Sequence, residues 1–472
     1  MNARLFTVAM VALALSGCMN LAPEDSRPAL STPAMFAAEQ QPDGTYVASQ
    51  LPWRDVIADP RLEVLIGTAL TNNRDLVAAT ARIEQARAQY RIEDSRRLPG
   101  VVADAGASRS RTPLTTSGGS GSITANRFDI GVGVSAFELD FWGRVRNLSD
   151  AARAQYLSTI AAQRAFYLSL IADVASTYYQ LVETQEQIEL AEATAASRQE
   201  ELRIAGLRLE SGVTSALPFR QAESLLTQAE QQLAEQRLQE ARLQNQLAVL
   251  VGGQVPEGLP AGLTLFAQDS GIRLAAGLPS DLLLARPDIV AAEEQLRAAR
   301  ANIGAARAAF FPSISLTGSA GLASNSLDGL FGSDGLSWSF GPSISLPIFD
   351  WGGREAQLDL ARAVETEVVA NYDLAVQNAF REVSDALAGR RWIADQVETL
   401  ERAVEAQESI ARIAELRNRE GVADYLEVLD AERNLFIARQ NLLTTRRAYH
   451  QNAITLYVAL GGGLAGETPP GS

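Results

Sequence analysis

The strongest constraint on this chain is that its sequence is written twice. Asp75-Leu76-Val77-Ala78-Ala79 matches Asp288-Ile289-Val290-Ala291-Ala292 at an offset of 213 residues. The same offset pairs Ala86-Arg87-Ala88 with Ala299-Arg300-Ala301, and Pro99 with Pro312. Further on the offset is 209, pairing Trp142-Gly143 with Trp351-Gly352, Gly212-Val213 with Gly421-Val422, Ala222-Glu223 with Ala431-Glu432, and Gly252-Gly253 with Gly461-Gly462. The change of offset falls between Pro99 and Trp142, which puts the length difference in a loop. Matches at steady offsets mean one architecture used twice.

Each half has the same grammar. A helical run ends at a proline, two alternating stretches follow around a Gly/Ser-rich loop, and then comes a very long helical run. A Gly-Val turn leads into a returning helix that ends in Gly-Gly. The run from Arg144 to Ala205 holds neither Gly nor Pro. From Leu157 to Ile188, apolar residues recur at alternating steps of three and four, the pattern of a coiled-coil seam. At 1.5 Å per residue this run extends roughly 90 Å. Its second copy, Arg354 to Glu420, is interrupted only by Gly389.

The alternating stretches read as strands. Leu336, Trp338, Phe340, Ile344, Leu346 and Ile348 share one face; Ser337, Ser339, Gly341, Ser343 and Ser345 share the other. Ile314, Leu316, Ala320 and Leu322, and Phe128, Ile130, Val132 and Val134, alternate in the same way. Such strands fit a membrane barrel with lipid on the apolar face and water on the polar one. They fit a soluble antiparallel sheet lying on a core equally well. Pro342 predicts an irregular strand. The stretches 112–125 and 323–335 are expected to be exposed loops.

Because each strand pair lies between two helices, both helices must meet the sheet at one end. The long helix departs from it, turns near Gly206–Ala216 and comes back over Leu217–Val251. That return and the preceding run Arg74–Leu98, stacked end to end, nearly match the outward length. A columnar helical body capped by a sheet follows. Four strands cannot close a barrel, which needs about eight. Copies of the chain must therefore supply the rest, or the edges stay open to aggregation.

At the N-terminus, Arg4 and the apolar stretch Leu5–Leu15 read as a signal peptide. Leu15-Ser16-Gly17-Cys18 resembles a lipobox, so Cys18 is expected to be acylated; a plain secretory signal with an incidental cysteine is the simpler alternative. Met19 is not the Asp that retains such proteins at the inner membrane. Nothing after residue 17 has 18 consecutive apolar residues, so a membrane crossing by the body requires a closed barrel. The expected organisation is residues 1–17 as signal peptide and 18–52 as a lipidated tether. A first repeat spans 53–271, with strands 99–112 and 126–141, long helix 143–205 and return helix 216–251. The second repeat spans 272–462, with strands 312–324 and 336–349, long helix 353–418 and return helix 424–460. A tail covers 463–472.

Composition removes other function classes. All 41 basic residues are arginine, and with 56 acidic residues the net charge is −15. No polybasic run points to nucleic acid, and without lysine there is no phosphate-binding G-x-x-x-x-G-K loop. One Cys and one His make neither an intrachain disulfide nor an ordinary metal cage. Gly131-Val132-Gly133-Val134-Ser135-Ala136 matches a dinucleotide fingerprint, but its glycines sit inside a strand pattern rather than before a helix. His450 lies on an amphipathic helical run without a nucleophile motif and is read as a surface or packing residue.

The acylated N-terminus, the duplicated strand–strand–long-helix pattern and the segment Gly421-Val422-Ala423-Asp424-Tyr425-Leu426-Glu427-Val428-Leu429-Asp430-Ala431 together resemble the TolC-like outer membrane efflux protein family. The closest likeness is to the lipidated subgroup that partners resistance-nodulation-division pumps. The resemblance implies a mainly α fold with a β-barrel: a homotrimer with a 12-stranded outer-membrane barrel and a long periplasmic helical barrel. It implies passive export from an inner-membrane pump through a periplasmic adaptor, with no cofactor beyond the lipid on Cys18. By motif position, Glu427 and Asp430 match the acidic gate, three residues apart on one helix face; Asp424 and Glu427 also fit a capping box. Gly212, Val213, Gly421 and Val422 match the hairpin tips that meet the adaptor, although a turn needing φ > 0 would explain the glycines. Trp142 and Trp351 open the long helices, at a membrane boundary or in plain packing. A protein-secretion duct and a non-conducting periplasmic scaffold are the competing functions.

Overall fold

The computed structural model describes residues 20–29, 33, 46–116, 119–268, 272–275 and 286–464. Cys18, the signal segment 1–17 and residues 465–472 lie outside them. The described helices and strands run α1 (Trp53–Val56), α2 (Pro60–Asn72), α3 (Arg74–Ser95), β1 (Val101–Thr116), β2 (Gly119–Glu138), α4 (Arg144–Glu210) and α5 (Ala216–Leu250). The same order then recurs as α6 (Pro287–Ala308), β3 (Ser313–Ser324), β4 (Leu336–Ser345), α7 (Gly353–Arg419) and α8 (Tyr425–Ala459). The long helices α4 and α7 have 67 residues each, and the return helices α5 and α8 have 35 each.

The chain divides into two compact units. One holds residues 1–29, 83–160 and 291–372; the other holds 30–82, 161–290 and 373–472.

The first unit carries the sheet, antiparallel in the order β1-β2-β3-β4. Pairs such as Val132↔Ala320 and Ala320↔Trp338 keep apolar residues opposite apolar or small ones, so the alternation survives across the strands. A bulge between Val134 and Phe137, with Ala136 at φ 51, shifts the register once. Two strand ends differ from expectation. The β1–β2 ladder continues to Thr116↔Gly119, so the stretch expected as a loop is strand. Its Ser, Thr and Gly residues give no apolar period to read. Conversely, β4 stops at Ser345, because Pro347 offers no N–H to a ladder. Pro342 is tolerated inside β4 because β4 is an edge strand.

In the same unit α4 meets α6 through Ala151, Ala154, Ala298 and Ala301, small side chains that permit a close approach. Residues 20–29 are strapped along α6 rather than free as a tether. Arg307 donates to the Leu21 carbonyl (2.9 Å), Asp25 pairs with Arg297 (3.0 Å), and Arg27 pairs with Glu293 (3.1 Å).

In the second unit the stacking of one helix end on the next has a specific joint. Asn73 Nδ2 donates to the Leu250 carbonyl at the end of α5 (2.9 Å), while its own Oδ1 caps α3 at Leu76 N (2.9 Å). The equivalent residue in the second half is Arg286, which donates to the Ala459 carbonyl at the end of α8 (3.0 Å). Arg286 also pairs with Asp288 and Glu382, both at 2.8 Å. Burial works against its charge, but the two carboxylates outweigh it and hold the guanidinium above its ordinary pKa.

Asp59 is fully buried and caps α2, accepting from Arg61 N (2.8 Å), Leu263 N (2.8 Å), Gln268 Nε2 (2.8 Å) and the Tyr178 hydroxyl (2.7 Å). His450 is buried rather than on the surface, with Nε2 at 2.8 Å from the Leu265 carbonyl. On α4, Tyr167, Leu168, Leu170, Ile171, Val174, Ala175, Tyr178, Tyr179, Leu181 and Val182 are all buried, a wider face than the narrow seam expected. Here α4 is bonded on several sides at once, to α5 by Gln185–Glu240, to α8 by Ser176–Gln451, and to the segment after α5 by Glu186–Leu265.

Candidate functional site: strand faces and hairpin ends

Among the described residues, nothing covers the apolar face of the sheet. Leu336, Trp338, Phe340 and Ile344 are exposed, Trp338 at 73% and Phe340 at 66%. The opposite face carries serine pairs bonded across β3 and β4, Ser315 to Ser343 at 2.7 Å and Ser319 to Ser339 at 2.8 Å. The soluble-sheet alternative required a core under the apolar side, and none is present among the described residues. Gly131 and Gly133 of the fingerprint-like segment lie within β2, where a Cβ on Gly131 would stand 3.0 Å from the Ala320 carbonyl. Close strand approach, not a nucleotide, accounts for that glycine.

Four helix ends share one device. Gly212, Gly252, Gly421 and Gly461 all have positive φ, from 69 to 83°. At the α4–α5 turn Gly212 N bonds to Leu209 O and Val213 N to Arg208 O, both at 3.0 Å. Gly421 and Val422 repeat this with Asn418 and Arg417 at the α7–α8 turn. This double closure is the Schellman motif, which favours glycine at the left-handed position. The turn falls inside the expected stretch Gly206–Ala216, but the long helix passes its expected end at 205: α4 runs through Gly206 to Glu210, since one helical glycine costs only about 1 kcal/mol. The apolar residue after a Schellman glycine usually packs back on its helix. Here Val213 is 76% exposed and Val422 70% exposed, and their counterparts at the C3 position are arginines.

Beyond the second turn lie the two expected gate carboxylates. Asp424 caps α8 through Oδ1 to Leu426 N at 3.4 Å. The reciprocal arm of a capping box is not made; Glu427 instead accepts from Arg417 Nη1 at 2.6 Å. Asp430 pairs with Arg433 at 3.0 Å, one turn along the same helix. Between them Val428 and Leu429 are buried, so Glu427 and Asp430 share the outward side. The arginine partners were not singled out by sequence reasoning. Arg433, three residues after Asp430, was readable from helical spacing; Arg417, across the turn, was not.

The paired tryptophans differ. Trp142 donates its indole N–H to the Pro312 carbonyl (2.8 Å) and stacks on Phe311, which is packing. Trp351 has φ 56 and is 89% exposed.

Comparison with known proteins places this arrangement. The outer membrane efflux protein family matches residues 65–253 and 278–462, one stretch in each half. The solvent efflux pump outer membrane protein SrpC of Pseudomonas putida is 42% identical over 459 residues, covering 96% of this chain and 97% of the relative. The cation efflux system protein CusC of Escherichia coli K12 is 40% identical over 461 residues, covering 96% and 98%. The solved open state of the Neisseria gonorrhoeae MtrE outer membrane channel is 38% identical with a TM-score of 0.85, covering 94% of this chain and 98% of that one. The chain belongs to the outer membrane efflux protein family. It is an outer membrane channel component of an efflux system, reaching from the outer membrane into the periplasm.

Proposed function

We propose that three copies of this chain assemble the exit duct of a tripartite efflux system. The reading is carried by one observation: a four-stranded sheet with an uncovered apolar face and free edges at β1 and β4. Three copies give a 12-stranded barrel, with lipid on the Trp338–Phe340 side and water on the serine side. Along α7, exposed Leu374, Ile410, Ile413 and Leu416 supply an apolar flank for a neighbouring subunit's helices.

In this reading the exposed tips Gly212-Val213 and Gly421-Val422 meet a periplasmic adaptor, which couples the duct to an inner-membrane pump of the resistance-nodulation-division class. Glu427 and Asp430 form a ring of six carboxylates at the periplasmic constriction, with Arg417 and Arg433 set beside it. Cys18 carries the acyl anchor, and the protein has no cofactor and does no catalysis. The relatives' names span solvents and cations. All four methionines of this chain fall within its first 35 residues, so neither sheet nor helices offer a thioether path for soft metal ions. Organic solutes are the substrate class this favours.

Purified protein in planar bilayers tests the reading. The expected result is a trimer that conducts, with conductance raised in the Glu427→Ala, Asp430→Ala double variant. A monomer, or a trimer silent in both forms, overturns it. Mass spectrometry of the mature N-terminus should find Cys18 diacylglyceryl-modified and Cys18→Ser unmodified.

A further inference from the structure

Close to the gate turn, on the inner side of α8, a buried charge cluster ties the two halves together. On α4, Ala191 and Ala205 are buried at heptad spacing, and the residue midway between them is Arg198, whose side chain is only 4% exposed. A seam that takes alanine on either side takes a guanidinium here. Arg198 Nη1 pairs with Glu201 on its own helix (3.2 Å) and with Glu432 on α8 (3.0 Å). Tyr425, in the first turn of α8, brings a buried hydroxyl beside Glu201. From α7, Glu415 adds its charge to the field at Glu432 while pairing with Arg419 at 2.7 Å. Val428 and Ala431 of α8 pack with Ala414 of α7 immediately beside this cluster.

The cluster occurs once, although the chain is duplicated. The positions matching Arg198 and Glu201 in α7 are Gln407 and Ile410. The position matching Glu432 in α5 is Glu223, which pairs with Arg220 on the surface at 2.6 Å. A general need of the fold would have been written in both copies. The single copy sits where α8 carries Asp430 two residues from Glu432.

The charge arithmetic gives the cluster a sign. With both glutamates ionised, one arginine faces two carboxylates and a net negative charge remains in a half-buried seam, Glu201 being 15% and Glu432 30% exposed, where it is costly. With Glu432 protonated, its O–H can donate to Glu201, Arg198 balances the remaining charge, and the seam is neutral. Burial first, and the neighbouring Glu201 charge second, push the Glu432 carboxyl up to about 7.

We propose that Arg198, Glu201 and Glu432 form a proton-dependent seam that positions the gate-bearing turns of α8, tight when Glu432 is protonated and loosened when it ionises. The proposal rests on the conduit reading above. Arg198 and Glu432 are positioning residues; they act on the bore through the placement of Glu427 and Asp430. Protonation thus closes the duct and alkali relaxes it.

The test is single-channel conductance of the full-length trimer across neutral pH. Wild type should rise several-fold from the acid to the alkaline side, with its midpoint near that of Glu432. Glu432→Gln keeps the shape and stays neutral, so it should fold, hold the low-conductance state and lose the pH dependence. Arg198→Met removes the charge that favours ionised Glu432, so its midpoint should move to higher pH. An infrared carboxylic-acid band that titrates with the same midpoint in wild type and is missing in Glu432→Gln supports the assignment independently of gating. Conduction by Glu432→Gln with the wild-type pH profile overturns the proposal and leaves the conduit intact. Silence of every variant, the Glu427→Ala, Asp430→Ala channel included, overturns the conduit reading and this proposal with it.

Discussion

At the residue scale, glycines that the sequence makes look alike have different reasons to exist. Gly212 and Gly252 both have positive φ, 69° and 83°. Around Gly212 a Cβ would meet nothing within 4 Å; at Gly252 it would stand 2.2 Å from the Asn72 carbonyl oxygen. Gly212→Ala should therefore cost only the left-handed penalty, about 1–2 kcal/mol. Gly252→Ala must in addition push α2 and α5 apart, and should lower the unfolding midpoint far more in denaturant titrations of the two variants side by side. Asp59 makes a second prediction. Gln268 Nε2 keeps a second acceptor in the Leu263 carbonyl at 2.9 Å, but Asp59→Ala takes the carboxylate from the Leu263 N–H and the Tyr178 hydroxyl and uncaps α2, a loss of about 3 kcal/mol or more. Glu432 adds a pH dependence to stability. Its folded pKa is raised from 4.5 to about 7, so between those values the folded chain holds a proton that the unfolded chain has released. This contribution is fully present below the lower value and is lost as pH rises to the upper one. Glu432→Gln should flatten that part of the stability–pH curve measured by urea unfolding.

At the element scale the legible and the hidden parts separate cleanly. Helices without Gly or Pro, proline stops and Gly-Val turns were readable because each is a local backbone rule. The strand faces were readable wherever large apolar residues alternate, as from Leu336 to Ile344, and unreadable in the polar hairpin end at 112–125, where no period exists. Gly389 could be seen but not explained from sequence. Its Cβ would fall 2.3 Å from Asn452 Oδ1, so it is the notch where α7 meets α8. The long-range groups were invisible for a different reason. Asp59, separated by more than 200 residues from Leu263 and Gln268, has no spacing to read. The stacking of helix ends could be guessed from lengths, but not that Asn73 does in one half what Arg286 does in the other. That substitution makes a prediction. Arg286→Met removes a bond to the Ala459 carbonyl and leaves Asp288 and Glu382 facing each other's charge, whereas Asn73→Ala removes neutral bonds only. Arg286→Met should thus be the more damaging, by roughly 2–3 kcal/mol against about 1–2. Urea unfolding of the two variants side by side reads the difference.

At the scale of the whole molecule the internal repeat gives the subunit interface its register. Inside the chain, β2 of the first half pairs with β3 of the second, with Phe137 opposite Leu316, and Trp142 bonds to the Pro312 carbonyl. In the ring proposed above, β4 of each copy joins β1 of the next, where the first half follows the second again. The two offsets carry Phe137 to Leu346, Leu316 to Ala103, Trp142 to Trp351 and Pro312 to Pro99. Ala103 falls on the apolar side of β1, opposite Val132, and Leu346, one residue past the end of β4, continues the alternation of Phe340 and Ile344, so the transferred register keeps the pattern intact. Trp142 is engaged within its own chain while Trp351 stands 89% exposed; in the proposed ring the Trp351 indole N–H should find the Pro99 carbonyl of the neighbouring copy. Cysteines at Leu346 and Ala103 should therefore oxidise into subunit-linking disulfides, since only paired positions meet the Cα separation such a bond requires. Leu346→Cys with Ala107→Cys, about 13 Å out of register along the strand, should not. Cys18 is the chain's single native cysteine, so Cys18→Ser gives a background without thiols. Trp351→Phe should weaken the assembled form by about 1 kcal/mol per subunit, read as earlier dissociation on heating, with the monomer's helicity unchanged. Preferential cross-linking of the Ala107 pair would show a ring closed in a different register, and the two halves of the sequence would then not be equivalent across the subunit boundary.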